Sequence, residues 1–586
     1  MTDPVPQKPA HIREFTPRSV AVGLLVAVVV GASYPYVVLK FGIGPNIGVV
    51  SAFFGFLALG LFSKSYNRWE NNLVQTAGTS SGQLAFVCFL LAAFDILSAE
   101  PGSGFSVHLT HFQTWTWLSL AGILGVFLAV PLRKHFIDEE NLPFPDGMAA
   151  AETMKMLDSK GVEARQSTMA MLGAMATSGA LFFVTTMQWI VDTIAVRVNQ
   201  FSPVVGVGFA LSLLNVGSGM IIGLRITASM LIGAIIAWVL LPPWLLAHGY
   251  ITADARRTAI LLYIMWPGIA ALIAGGMTTL ALRWRSLLST FRSLRAADAT
   301  SGDLPLRWVS LGALVSATGL VAAQSAFFGT PVWHSVLAIL LALPLGLVAL
   351  RVLGETNWGP ISTMANLTQA VFGFVAPGSL QASMVSSGVT ASVAAESEGI
   401  IQDFKAGKMI GSTPRVLTYM QLLAIPVGAL ALAYAYPLLR DTYGIVGDHA
   451  QLSSPASARW VGFAKIVTQQ LSGDGPLSPE AAMRLAWMKM SFSVGALIGI
   501  VFTLLEQKPA WRKYVPSPTG MGTGVIIPIS AVTVMFAGAL ADWLWQRAKP
   551  AQHRQYSIAA ASGFIAGEAI VAVIIPILVT LGLLRL

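Results

Sequence analysis

An all-α, polytopic integral membrane protein is the fold class this sequence predicts, and three observations predict it. Of its residues 55% are hydrophobic and only 11% are charged, a balance outside the range of ordinary soluble domains. The apolar residues fall in runs close to the ~20 that a helix needs to cross ~30 Å of hydrocarbon, without the alternation of a membrane barrel. Lysines and arginines lie between those runs, where the positive-inside rule puts them, so the formal charge of +9 leaves no basic patch for nucleic acid. A single cysteine, Cys88, excludes disulfides and multi-cysteine metal sites. The eight histidines are scattered; His108 and His111, the closest pair, read as a solvated loop pair. Neither a metal site nor a cofactor is expected.

In chain order, about sixteen transmembrane helices are expected from the apolar runs. They begin near Ser19, Asn46, Leu73, Gln113, Ser167, Val204, Ile226, Thr258, Trp308, Val332, Trp358, Leu380, Val416, Trp487, Gly522 and Tyr556. The first run continues past Gly31 to Tyr36 with no small-residue cleavage pattern and reads as an uncleaved span. With the N-terminus inside, the loops bearing Lys64 and Arg68, Arg133 to Arg165, Arg283 to Arg307, Lys405 to Arg415, and Arg512 with Lys513 all fall inside. Loop 95–112, which has no Lys or Arg, falls outside. Arg547, Lys549 and Arg554 fall outside, against the rule. This pattern predicts two cytoplasmic termini. The stretch 204–247 is too long for one straight span, yet has almost no turn between two.

The polar, basic loop 284–306 suggests a division into a first transmembrane repeat, 1–283, a cytoplasmic linker, 284–307, and a second repeat, 308–586. Gln75, Ser80, Ser81 and Gly82 recur as Gln381, Ser386, Ser387 and Gly388 at an offset of 306. Gly217, Gly219, Ile221, Ile222, Met230, Gly233, Ala234 and Trp238 recur as Gly522, Gly524, Ile526, Ile527, Met535, Gly538, Ala539 and Trp543 at an offset of 305. A third match sets Asn46 in KFGIGPNIG against Asn357 in LGETNWGPIS. Three matches at nearly one offset point to two duplicated halves, parallel or inverted.

Both halves are interrupted at corresponding places, by Gly42, Gly44, Pro45 and Gly48 in one and by Gly354, Gly359 and Pro360 in the other. Paired interruptions predict broken or re-entrant segments around a midplane substrate site. The expected substrate-binding residues are Asn46, Gln75, Ser80 and Ser81 with Asn357, Gln381, Ser386 and Ser387. Packing through small and hydroxyl residues is the other reading of the serines and glycines, whereas glutamines are costlier to bury unpaired.

The segment ENLPFPDGMAAAE, Glu140 to Glu152, is a polar insertion with its own logic. Pro143 and Pro145 fix their own φ and push Leu142 and Phe144 toward extended backbone, which predicts a stiff entry beyond Asn141. Asp146 is expected to cap a helix that Met148 to Glu152 begin, aiming its positive end at a ligand or neighbour. A stiff connector is the bland alternative. Ionisable groups inside spans are costly and few are central. Glu568, in SGFIAGEAIVAVIIPIL, is the leading proton-coupling carboxyl, with Glu152 next; it should be protonated at rest, paired, or facing water. Arg225 and Asp542 are further candidates, and each could instead serve a structural ion pair.

No phosphate loop, His-Glu-x-x-His or Cys/His cluster is present, so an enzyme is not expected. A pyrophosphatase-like pump is the alternative of another class, but the spans lack the dense carboxylates that magnesium and diphosphate require. The chain resembles the oligopeptide transporter family, which includes the yellow stripe-like metal-chelate carriers. The resemblance spans nearly the whole length and is carried by ENNLVQT at Glu70 to Thr76, the double-proline segment, GLRITASMLIGAIIAW at Gly223 to Trp238, GETNWGPIS at Gly354 to Ser362, QDFKAGKMIGSTPR at Gln402 to Arg415, and ASGFIAGE at Ala561 to Glu568. It implies proton-coupled uptake of short peptides, peptide-like compounds or metal chelates; the double-proline form looks like the prokaryotic members. The chain departs from the family in the AGTSSG after Gln75 and Thr76. Protons, the bilayer and a small-molecule substrate are the expected partners, with a homodimer as the open oligomeric state and no nucleic acid.

Overall fold

The computed structural model of the chain describes residues 8–9, 12–41, 47–62, 67–100, 103–158, 162–282, 284–285, 302–446, 452, 454–471, 479–512, 514–580 and 583–584. Asn46 and most of the 284–307 linker lie outside the described residues. The protein is an all-α polytopic membrane protein: among the described residues eleven helices are long and apolar enough to span a bilayer, and three shorter apolar helices, Ile47–Gly60, Leu213–Ile222 and Ile361–Val375, join them. Strand is confined, among the described residues, to Thr193–Ala195 paired antiparallel with Gly208–Ala210.

Most expected starts lie within a few residues of a helix, and the departures have local causes. Helix Arg68–Phe86 begins one turn before Leu73, because the Asn67 side chain caps it by accepting from the Trp69 amide. The Pro455–Leu471 helix has no counterpart among the expected starts, since Arg459, Lys465, Gln469 and Gln470 hide it from hydropathy. The helix expected near Leu380 runs unbroken to Ile410 and ends where Gly411 takes φ 84° ahead of Pro414. Lys405 and Lys408, expected in a loop, are therefore helical.

The stretch 204–247 resolves into Leu213–Ile222 and Leu224–Ile235, joined by the single residue Gly223 at φ 89°, ψ 163°. One glycine in a conformation that L side chains rarely adopt replaces a turn, which explains why no turn signal was visible. The corresponding later stretch breaks at Ile527 and Pro528, both extended, between Pro518–Ile526 and Ile529–Ala548. The two broken pairs pack on each other reciprocally. Gly219 lies against the Met535 carbonyl and Gly524 against that of Met230, while Gly233 meets Met521 and Gly538 meets Val216. Each contact is its partner displaced by 305 positions, and a methyl group at any of the four glycines would run into backbone. The buried Trp238 indole donates across the same junction to the Ile527 carbonyl at 3.0 Å.

Two helices are polar in sequence yet enclosed by protein, Arg68–Phe86 and Leu380–Ile410. They pack against each other near the middle of the largest apolar core. A helix with hydroxyl, amide and carboxyl side chains is stable in that position only if its polar groups find partners there.

Candidate functional site

The double-proline segment differs from its expected form. Phe144 is left-handed, at φ 47°, as is Asn141 at φ 48°. Asp146 does not cap the helix; Pro145 opens it, and Phe144 stands at the cap position with no side-chain hydrogen bond. Tertiary contacts override the pre-proline preference. The Phe144 amide donates to the Gly354 carbonyl at 3.1 Å, and its fully buried ring packs onto Gly354, where an added Cβ would sit 2.8 Å from it. Burying a phenyl ring is worth about 1.5–3 kcal/mol, more than the ~1–2 kcal/mol that left-handed backbone costs a non-glycine residue.

Freed from capping, Asp146 pairs with Asn357. Its amide donates to Asn357 Oδ1 at 3.1 Å, and Asn357 Nδ2 donates back to Asp146 Oδ1 at 2.8 Å and to Ser218 Oγ at 3.2 Å. Asn357 itself is left-handed, at φ 57°, and terminates the Val332–Thr356 helix. One side chain thus joins the double-proline segment, a helix end and the broken helix Leu213–Ile222. Around it, Arg351 bridges Glu140 at 2.5 Å and Glu355 at 2.6 Å. Lys405 Nζ donates to the Leu142 carbonyl at 2.8 Å and to Asn141 Oδ1 at 3.3 Å. Gly147 lies on the Gln402 carbonyl.

Further into the protein, Gln75 Nε2 donates to Asp403 Oδ1 at 2.5 Å and to Thr79 Oγ1 at 2.8 Å. Ser80 Oγ donates to Glu396 Oε2 at 3.1 Å, and Gln421 Nε2 reaches the same oxygen at 2.8 Å. Glu398 points the other way, its carboxylate against Gly359, where a Cβ has no room. Glu396 and Asp403 are 0% exposed and Glu398 3%. The sequence reading named none of these three carboxylates. The signal that could have found them is an uninterrupted helical stretch, SVAAESEGIIQDF, without proline or a glycine pair. These carboxylates do not converge: among the described residues no three His, Cys, Asp or Glu side chains are grouped to hold a metal ion.

Other expected residues are dispersed. Gln381 stands in the first turn of Leu380–Ile410 and donates to the Phe328 carbonyl. Asp403, the partner of Gln75, lies about 33 Å further along that helix at 1.5 Å per residue, so Gln75 and Gln381 are not brought together. Ser81 Oγ donates to the Ala27 carbonyl at 2.5 Å between Gly31 and Gly428, and Ser387 Oγ to Met384 of its own helix at 3.0 Å; both serve packing. Ser386 is buried on the same helix. Arg225 pairs with Glu506 at 2.8 Å, Glu152 with Lys155 at 2.8 Å, and Asp542 with His553 at 3.0 Å and Ser557 at 2.5 Å.

Glu568 is held by the start of the broken helix Leu213–Ile222. Ser212 Oγ lies 2.9 and 3.0 Å from its two carboxylate oxygens, and the Leu214 amide donates to Oε2 at 3.1 Å. Ser212 also caps that helix by accepting from the Asn215 amide at 3.2 Å. A carboxylate at a helix N-terminus is stabilised by the orphan amides and by the helix dipole. Glu568, the leading carboxyl of the sequence reading, therefore rests on the start of a discontinuous helix.

Residues 14–579 match the sequence profile of the family described as OPT oligopeptide transporter protein. A Saccharomyces cerevisiae relative named for oligopeptide transport, YGL114W, is 23% identical, with 88% of this chain and 87% of the relative aligned. An Arabidopsis thaliana relative named for metal-nicotianamine transport, YSL8, is 22% identical over 96% of this chain and 86% of its own. A Haemophilus influenzae relative named for oligopeptide transport is 23% identical over 93% and 92%. These relatives are named as transporters of small molecules and not as enzymes. A profile match over nearly the whole length, on an all-α polytopic fold, establishes that this chain belongs to the OPT oligopeptide transporter family.

Proposed function

We propose that the protein is a proton-coupled secondary transporter of short peptides or peptide-like compounds, a range that extends to metal complexes of amino-acid-derived chelators. Glu568 carries this reading: an ionisable group in an apolar stretch of the Pro550–Thr580 helix, resting on the N-terminus of a helix that a single glycine interrupts. Discontinuous helices whose ends face ionisable groups are how secondary transporters build ion and substrate sites. The donors Ser212 and the Leu214 amide favour the carboxylate form of Glu568, and their loss when the short helix moves off favours the protonated form. The reciprocal glycine contacts between Leu213–Ile222 with Leu224–Ile235 and Pro518–Ile526 with Ile529–Ala548 support two duplicated halves that could move against each other. Asn357, Gln75 and Ser80, each bonded to a carboxylate, remain the best-placed of the expected substrate-binding residues. Basic loops on one side support cytoplasmic termini.

Vesicles containing the protein should accumulate a labelled dipeptide or metal–nicotianamine complex under an inward proton gradient. Glu568→Gln keeps the size of the side chain but cannot titrate, so it should abolish gradient-driven accumulation while passive exchange survives. Conversion of the substrate to a new chemical species without accumulation would overturn the transporter reading. A Gln variant that still concentrates substrate would make Glu568 structural.

A further inference from the structure

Two of the three buried carboxyls on the Leu380–Ile410 helix, Glu396 and Asp403, point away from Glu398, which lies against Gly359, and among the described residues the packing around them supplies no paired cation. Glu396 and Asp403 are seven residues apart, two turns on one helix face and about 10.5 Å along the axis. Both are fully buried, and both face the Arg68–Phe86 helix, where Ser80 meets one and Gln75 the other. Gln421 closes over Glu396 from the Pro414–Tyr443 helix.

Several charged groups of the surrounding helices pair elsewhere. Arg68 pairs with Asp158 and Glu70 with Arg18; Arg351 pairs with Glu140 and Glu355, Glu152 with Lys155, Lys465 with Glu100, and Arg440 with Asp95 and Asp441. On the helix itself, Lys405 donates to the Leu142 carbonyl and Lys408 to that of Ile137. Among the described residues no cation forms an ion pair or hydrogen bond with Glu396 or Asp403.

One oxygen of each carboxyl is hydrogen-bonded and the other is not. Glu396 Oε1 and Asp403 Oδ2 are buried without a partner. So are Oε1 of Gln75 and Oε1 of Gln421, on the same amide groups whose nitrogens reach the two carboxyls. Each site therefore holds more acceptors than donors. An unpaired buried charge costs several kcal/mol, and an acceptor surplus of this kind is relieved by adding a proton. A bare metal cation suits the geometry less, because an amide nitrogen already points at each carboxyl and would have to turn away.

We propose that Glu396 and Asp403 are two proton-binding sites of the transport cycle, each holding one proton as a carboxylic acid in the state described here and releasing it to water when the Arg68–Phe86 helix separates from them. The proposal rests on the proton-coupled reading above. Binding forms an O–H bond at the unpartnered oxygen, and release breaks it, the proton passing to the water that enters as Ser80 and Gln75 withdraw and that then solvates the carboxylate left behind. Ser80, Gln75 and Gln421 are positioning residues.

Infrared difference spectra of the full-length protein in vesicles at neutral pH test this without a substrate. Glu396→Gln and Asp403→Asn should each remove a carbonyl stretch of a protonated carboxylic acid. Loss of carboxylate bands instead would overturn the proposal. If either amide variant fails to assemble, Glu396→Asp and Asp403→Glu answer the same question, since the acid band should shift and not vanish. In a second arm, accumulation of labelled dialanine under a proton gradient should fall at least about tenfold in both amide variants, with exchange of internal for external dialanine falling no more than about threefold. Wild-type protein that ignores the gradient sinks the proton-coupled reading. Gradient-dependent wild type with unaffected variants sinks only the assignment of Glu396 and Asp403.

Discussion

Asn357 should be an energetic junction of the protein, and replacing it in two ways separates its side chain from its backbone. Glycine keeps the left-handed conformation at φ 57° and removes the side chain; alanine removes the side chain and strains the backbone. The lost bonds are one to the Asp146 carboxylate at 2.8 Å, one from the Asp146 amide at 3.1 Å and one to Ser218 at 3.2 Å. A charge-assisted hydrogen bond contributes about 1.5–3 kcal/mol and a neutral one about 1 kcal/mol; Asp146 and Asn357 are only half-buried, so the lower values apply. Asn357→Gly should therefore cost about 2.5–4 kcal/mol, and Asn357→Ala about 1–2 kcal/mol more. The Asp146 carboxylate contact is isolated by a double-mutant cycle with Asp146→Ala, because the amide donor of Asp146 survives that change. Its coupling energy should be about 1–2 kcal/mol, read from unfolding midpoints in mixed micelles. A coupling below about 0.5 kcal/mol, or an alanine variant as stable as the glycine one, would refute the reasoning.

Two further outcomes are expected. Gly219→Ala and Gly524→Ala should destabilise to a similar extent, about 1–3 kcal/mol or more each, because both methyl groups run into backbone across the same reciprocal contact; Gly60→Ala, with nothing within 4 Å, is the control. A large loss at one glycine and none at the other would contradict the reciprocity. Bare divalent metals should give no stabilising thermal shift, whereas a bound substrate at ~100 times its dissociation constant should add about 2.7 kcal/mol. His111 Nδ1 already lies 2.8 Å from the Ala433 carbonyl, with its ring stacked on Tyr434. A saturable shift with a bare metal would reopen His108 and His111 as ligands.

By itself the sequence determined the fold class, the membrane setting and the approximate course of most spans. Those properties are sums over neighbouring residues: whether ~20 in a row can replace water by hydrocarbon, and where the lysines and arginines fall between them. It also marked Glu568 and the stretch 213–238, since a carboxyl inside an apolar run and a repeated glycine pattern are visible along the chain. What only the tertiary structure decided is which polar groups meet. Asp146 was legible as a helix-starting residue, but its partner Asn357 lies 211 positions away, and the ring of Phe144 needs Gly354 to hold its left-handed backbone. Gln75 looked like the counterpart of Gln381, yet helix packing sets it beside Asp403. The carboxyls of Leu380–Ile410 were passed over because a charged residue reads locally as the end of a span. Enclosure by other helices, which supplies Ser80, Gln75 and Gln421 where water would otherwise be needed, makes such a helix stable, and no local window of sequence contains that enclosure.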